Sequence, residues 1–262
     1  MALPRFYINN APDGDKAVLD KEQSRHLAKV LRLKAGDRAE LFDKAGNSYE
    51  AEIISISESV QLKILNQIRN PQSAILNWIT LATAIPKGNR MDWLVEKCAE
   101  LGLNKLIPME TKRSVVKDCG EVKISRWKKI AIESNKQCHQ QCPMEITEIL
   151  PFDKIIGSIE KYDIKLLASP DGEPLKKYVI GHSERSEESS ETLPPKSIRG
   201  QGDKCEKCRI IYLIGPEGDF MPEEVREAQN AGFKAVQMPV GGILRVETAA
   251  VSMLAMLKYI TN

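Results

Sequence analysis

From residue 73 onward, apolar runs of strand length alternate with segments of helical period, and no other feature of the chain restricts its fold as much. "AILNWITLATAI" reads as a long apolar strand, and "RMDWLVEKCAELG" follows it with Met91, Leu94, Val95, Cys98 and Leu101 on one helical face and Gly102 as a stop. "KLIPME", the helix "ISRWKKIAIESNKQC", "MEITEIL", "FDKIIGSI" and "DIKLLAS" continue the alternation, and "RIIYLI", "MPEEVREAQNAG", "KAVQMPV" and "VETAAVSMLAMLKYI" complete it. Strands that run apolar without a polar alternate face are covered on both sides, so the pattern predicts a parallel α/β sheet.

The first seventy residues have a different grammar. "RFYI", "KAVLD", "RAELFD", "SYEAEIISI" and "VQLKIL" are short runs rich in β-branched and aromatic residues, separated by turn signals such as "PDGD" and "KAGN". One helix is expected in "KEQSRHLAKVLRL", with Leu27, Val30 and Leu31 facing a small barrel and Arg25, Lys29 and Arg32 forming a cationic stripe outside. That stripe is either a solvated surface or a set of phosphate contacts. "QIRNPQSA" reads as the linker, giving domains at 1–70 and 73–262.

Two segments interrupt the pattern. Residues 181–208, "GHSERSEESSETLPPKSIRGQGDKCEKC", hold almost no large apolar side chains, so burial cannot offset their ordering entropy, and they read as a disordered insertion. Residues 105–136 carry nine Lys/Arg against four acids, although the whole chain has a formal net charge of only +2. A nucleic-acid partner would therefore be held by local patches and not by a global field. The N-terminus lacks a signal-peptide pattern and no apolar run is long enough to span a membrane, so a cytoplasmic protein with no membrane partner is expected. In that compartment the six cysteines are expected as thiols. Cys205 and Cys208 form a CxxC without a second pair at finger spacing, so no metal is expected.

The chemistry is sought in two glycine loops, "IGPEGDF" and "PVGGILRVET", each between a strand and a helix. In open parallel sheets ligands sit beyond the carboxyl ends of the strands, and loops of this kind expose backbone groups suited to the adenine and ribose of a nucleoside cofactor. A phosphate is disfavoured there, because Glu217, Asp219, Glu223 and Glu224 would repel it and no Gly-Lys-Ser/Thr follows. The occupant is expected to be neutral or cationic.

"LIGPEGDF", "ILRVETA", "PKGNRMDWLVEKCAELG", "RSVVK" and "RWKKIAIESNKQC" together resemble the bacterial 16S rRNA uracil-N3-methyltransferases, a branch of the knotted SPOUT superfamily. "PRFYI" and "HLAKVLRLKAGD" are similar to that family's N-terminal PUA-like barrel, so the resemblance covers nearly the whole chain. It implies an α/β fold with a C-terminal SPOUT-type parallel sheet and a deep trefoil knot, plus the small PUA-like β-barrel. It also implies S-adenosyl-L-methionine as cofactor, 16S rRNA in the 30S subunit as substrate and a homodimer as the working unit. By position, Ile214, Gly215, Pro216, Glu217 and Gly218 would form one cofactor wall, and Met238, Gly241, Ile243 and Leu244 the other. The chain departs from the family pattern at "PVGG", at His139 and Gln140 after "QC", and in the insertion.

Uracil N3 carries a proton at neutral pH, so an enzyme acting there must remove it or stabilise the charge left on O2 and O4. Arg245 is the expected polarising residue and Glu247 a candidate base or supporting partner. The bland reading of Arg245 is an arginine paired with Glu217 or Glu247. Arg5, Arg25, Lys29, Arg32, Lys87, Arg90, Lys112, Arg113 and Lys117 are the candidates for RNA contact. Ala249, Ala250, Met253, Leu254 and Leu257 offer an apolar helix face read as covering a twin chain together with "MDWLVEKCAELG". Other acceptors remain open, namely ribose 2'-O or another base nitrogen, as does a non-catalytic assembly factor. A dinucleotide oxidoreductase lacks its GxGxxG.

Overall fold

The computed structural model describes residues 3–69, 77–116, 120–138, 140, 142–179, 208–238 and 242–261. The chain divides into two compact units, one of Met1–Ile75 with Ala131–Met144 and one of Leu76–Ile130 with Glu145–Asn262. The first unit thus takes in a segment from the middle of the chain.

In the first unit, β1 (Arg5–Ile8), β2 (Lys16–Val18), β3 (Arg38–Asp43), β4 (Ser48–Ile56) and β5 (Val60–Arg69) form one sheet in the order β1-β3-β4-β5-β2. The β1–β3 pair is parallel and the others antiparallel. Register breaks along β4 and β5 add twist, and the sheet curls around Phe6, Leu19, Leu27, Leu41, Ile53 and Leu62. The helix is not one regular element. An α-helical turn, α1 (Lys21–Arg25), capped by Asp20, passes into a π-helical turn over His26–Val30. The wider turn changes the angular spacing, so Leu27 stays buried while Val30 and Leu31 are exposed, contrary to the expected apolar face. Arg32 then adopts a left-handed conformation (φ 55°), which bends the expected straight stripe.

The second unit is the parallel sheet. β6 (Asn77–Ala84) leads to α2 (Arg90–Glu100) and β7 (Lys105–Glu110), then through α3 (Gly120–Cys138) to β8 (Glu145–Ile146), β9 (Leu150–Pro151) and α4 (Phe152–Ile156). β10 (Ile164–Pro174), α5 (Leu175–Val179), β11 (Cys208–Ile214), α6 (Pro222–Asn230), β12 (Lys234–Gln237) and α7 (Val246–Thr261) follow. The strand order is β12-β10-β11-β6-β7-β8 with β9 also on β7, and every pairing among the described residues is parallel. β11 is therefore laid between two strands that precede it in the chain. Cys208, expected at the end of the insertion, is the first residue of β11; the rest of that insertion and Cys205 lie outside the described residues.

One face of the sheet packs α4 and α6 through Phe152, Ile155, Phe220, Ala228 and Phe233. On the other, α7 lies against α2, β6 and β11, and the Tyr212 hydroxyl donates to Ala250 O at 3.0 Å. This corrects the expected partner face. Met253, Leu254 and Leu257 are 0% exposed within a single chain, and Ala249 and Ala250 are buried with them. Burial also pushes the Cys98 thiol on α2 far up, which leaves it an inert core side chain. The connection from β12 to α7, on which the expected threading depends, includes residues 239–241 outside the described residues.

Candidate active site at the carboxyl ends of the parallel strands

β11, β6 and β7 are neighbours, so the loops that leave their carboxyl ends lie side by side. The central one, residues 215–221, is stiffened by its own chemistry. A Cβ on Gly215 would stand 3.0 Å from the Phe220 ring, so any larger residue there would require the ring to shift. Pro216 is buried, and its carbonyl accepts from Asp219 N at 2.9 Å. Asp219 sits at φ 60° and its Oδ1 accepts from Phe220 N at 2.8 Å, a local bond of the kind that makes Asp tolerable in the left-handed region. Met221 is extended as N-cap and Pro222 opens α6. Glu224 Oε2 reaches back to Met221 N at 2.8 Å, one half of a capping box.

Side chains tie this loop to both neighbours. Toward the turn after β6, Glu217 Oε1 accepts from Lys87 N at 3.3 Å and lies 3.6 Å from Arg90 Nη1. Arg90 Nε lies 3.9 Å from Glu247 Oε1, in the first turn of α7. Toward the turn after β7, Arg113 Nη1 donates to Gly218 O at 2.6 Å and Lys112 N donates to Glu224 Oε1 at 2.8 Å. Arg90, expected as an RNA contact, instead stands between two carboxylates. The cation facing Glu217 and Glu247 is Arg90 and not Arg245. Arg245 is exposed, and its side chain has no ion pair or hydrogen bond among the described residues.

Glu247 is 8% exposed, and its Oε2 is buried without a hydrogen-bond partner among the described residues. A buried carboxylate oxygen left open costs on the order of 1–3 kcal/mol, so it is an acceptor awaiting a donor. Of the second expected wall, Met238 and Leu244 are half-buried, Ile243 is exposed and Gly241 lies outside the described residues. The set fits a cationic nucleoside cofactor. A stiff glycine loop offers close backbone approach, Glu217 and Glu247 tolerate positive charge, and one buried oxygen is unsatisfied.

The candidate RNA contacts fare differently. Arg25, Lys29, Arg32, Lys87, Lys112 and Arg113 are exposed, and Lys117 lies outside the described residues. Arg5 is a correction. Its side chain is 4% exposed, pairs with Glu40 at 2.9 Å, lies 4.4 Å from the Phe42 ring centroid, and donates to Asn135 O at 3.1 Å and Gln140 O at 3.0 Å. It is a structural cation holding the end of α3 to the curled sheet. Sequence reasoning passed over Glu224 as one of several repelling acids, because the N-cap residue before it is Met221 and not the Ser or Thr that announces a capping box.

Comparison with known proteins shows the family. A model of the RNA methyltransferase domain matches residues 73–258, and one of the RNA methyltransferase PUA domain matches residues 19–65. The chain is 26% identical over 245 residues to the ribosomal RNA small subunit methyltransferase E of Bacillus subtilis, covering 92% of this chain and 89% of that protein. It is 28% identical over 265 residues to the Buchnera aphidicola (Schizaphis graminum) protein of the same name, covering 98% and 96%. A Legionella pneumophila methyltransferase structure in complex with bound SAM superimposes with a TM-score of 0.78 at 26% identity, covering 99% of this chain and 98% of that one. With a two-unit fold of that architecture and a matched domain spanning most of its length, this chain belongs to the RNA methyltransferase family.

Proposed function

We propose that this protein uses S-adenosyl-L-methionine to methylate N3 of a specific uridine in 16S rRNA, acting on the 30S subunit in the cytoplasm. The relatives named above support an rRNA substrate and the SAM-bound neighbour supports the cofactor. The observation that carries the chemistry is the open, buried Oε2 of Glu247 two residues after the unpartnered Arg245. The cofactor supplies a methyl carbon made electrophilic by its sulfonium sulfur. The protein must then deal with the N3 proton. In this reading Glu247 Oε2 accepts it as N3 takes the methyl group, with the sulfur–methyl bond broken and the thioether leaving, and the Arg245 guanidinium offsets the negative charge that develops on O2 and O4. Arg90 Nε lies 3.9 Å from the other oxygen of Glu247, a positive charge beside the carboxylate. The uridine must leave any stack to reach these groups, and the exposed Arg25, Lys29, Arg32, Lys87, Lys112 and Arg113 are the candidates for phosphate contact along the RNA.

The test is methyl transfer to 30S subunits that lack the modification, followed by mass spectrometry of the nucleosides. 3-Methyluridine is the expected product. A ribose-methylated nucleoside, or no product, overturns the reading.

The working unit is proposed as a homodimer, on a face other than the one the sequence suggested. Thr248, Ala255 and Tyr259 are exposed on α7, with Val251, Ser252 and Met256 half-buried beside them, and none of these six side chains is charged. A self-complementary two-fold contact needs one such patch. Ala255→Glu is expected to shift the sedimentation mass from dimer to monomer with the thermal transition retained. A wild-type protein sedimenting near 29.3 kDa at micromolar concentration removes the dimer.

A further inference from the structure

Glu224 is 2% exposed, and both its oxygens are engaged, each by a backbone amide from a different loop. Oε2 takes Met221 N of the 215–221 loop; Oε1 takes Lys112 N, in the turn after β7. That turn is rigid in itself. Thr111 N donates to Ser114 Oγ at 2.9 Å, the two hydroxyls lie 3.0 Å apart, and Ser114 N donates to Thr111 O at 3.1 Å. Arg113 adds a second tie across the same gap, through one of its five N–H groups to Gly218 O. The remaining N–H groups of an exposed guanidinium stay available.

We propose that Glu224 is a positioning residue that locks the Lys112–Arg113 turn to the 215–221 loop, so that RNA phosphate contact and cofactor binding strengthen each other. The proposal rests on the reading of the loop as cofactor wall and of the turn as an RNA contact. A phosphate held by Arg113 fixes the guanidinium that holds Gly218 O, and the carboxylate transmits that fixation to the start of α6. By linkage the ordered cofactor loop returns the same factor to RNA binding. Only a carboxylate can do this, because both loops present donors. A glutamine in its place has one carbonyl oxygen, and its NH2 would face the other amide.

The test measures the affinity for S-adenosylhomocysteine by equilibrium binding, with and without saturating in vitro transcribed 16S rRNA. Wild type is expected to bind the cofactor product roughly tenfold more tightly with RNA, within the usual range of coupling between sites. Glu224→Gln, checked for a cooperative thermal transition, is expected to bring that ratio below about twofold. An undiminished ratio in folded Glu224→Gln overturns the proposal. Should that variant not fold, Arg113→Met measured at its own saturating RNA concentration decides: a ratio near one supports the coupling and an undiminished one overturns it. A wild type that binds the cofactor product but shows no ratio above one overturns the coupling and leaves the methyltransferase reading standing. A wild type that binds no cofactor product overturns both.

Discussion

The two ends of the parallel strands treat their polar groups in opposite ways. At the amino ends, the buried Asn104 and Asn77 and the exposed Asp163 each accept from the backbone of a neighbouring strand. Asn104 Oδ1 accepts from Ile79 N at 2.9 Å, Asn77 Oδ1 accepts from Cys208 N at 3.2 Å, and Asp163 Oδ2 accepts from Arg209 N at 2.8 Å. At the carboxyl ends, Arg90 lies 3.6 and 3.9 Å from its two carboxylates, Glu247 keeps a buried oxygen open, and Arg245 has no partner among the described residues. The groups named at the amino ends are hydrogen-bonded across strands, and those at the proposed ligand end are left with loose or open contacts. This is how a sheet can be stable at one end and reactive at the other.

The contrast can be broken by substitution. Arg245→Ala should produce the largest change in rate, a loss of methyl transfer of about 10³-fold, of the order found when a charge-stabilising donor is removed. Cofactor affinity by calorimetry should stay within a few-fold. A turnover close to wild type removes Arg245 from the chemistry. Asn104→Ala at the opposite end should do the reverse. It leaves Ile79 N unsatisfied and should cost about 2 kcal/mol of unfolding free energy in denaturant titration, with kcat of the folded protein unchanged. A rate defect without a stability loss would erase the distinction between the ends. Smallest is Lys105→Gln, which removes the 2.9 Å pair with the half-exposed Glu145 at the same end. A pair of that kind is worth less than about 1 kcal/mol, so the unfolding midpoint should hardly move and activity not at all.

Much of this was legible in the sequence, and what was not has physical reasons. The five strands of the first unit announce themselves through β-branched runs and turn residues, and "IYLIGPEGDF" announces a strand ending in a stiff loop. The π-turn at His26–Val30 leaves no trace, because inserting a wider turn changes angles and not residue types. Arg5 looked like any basic residue near a chain start; its partners lie 35, 130 and 135 positions away and only the fold brings them in. The apolar side of α7 was visible, but apolarity alone does not tell a core from an interface, and Met253, Leu254 and Leu257 proved to be core. Arg245 and Glu247 could be nominated from the sequence, whereas the position of Arg90 between Glu217 and Glu247 needed three loops in space.

The placement of β11 has a consequence for how the molecule is made. β6, β7 and β8 can pair as soon as they leave the ribosome, and β10 is complete by Pro174, yet β6 and β10 do not touch each other in the sheet. Their common neighbour is Cys208–Ile214, so the two halves stay unjoined until more than thirty further residues have been synthesised. Until then the edges of β6 and β10 expose unpaired backbone in a nascent chain, the state most open to aggregation and to chaperone capture. Closure by a late central strand also depends on contacts distant in sequence, so slow folding is expected of this unit.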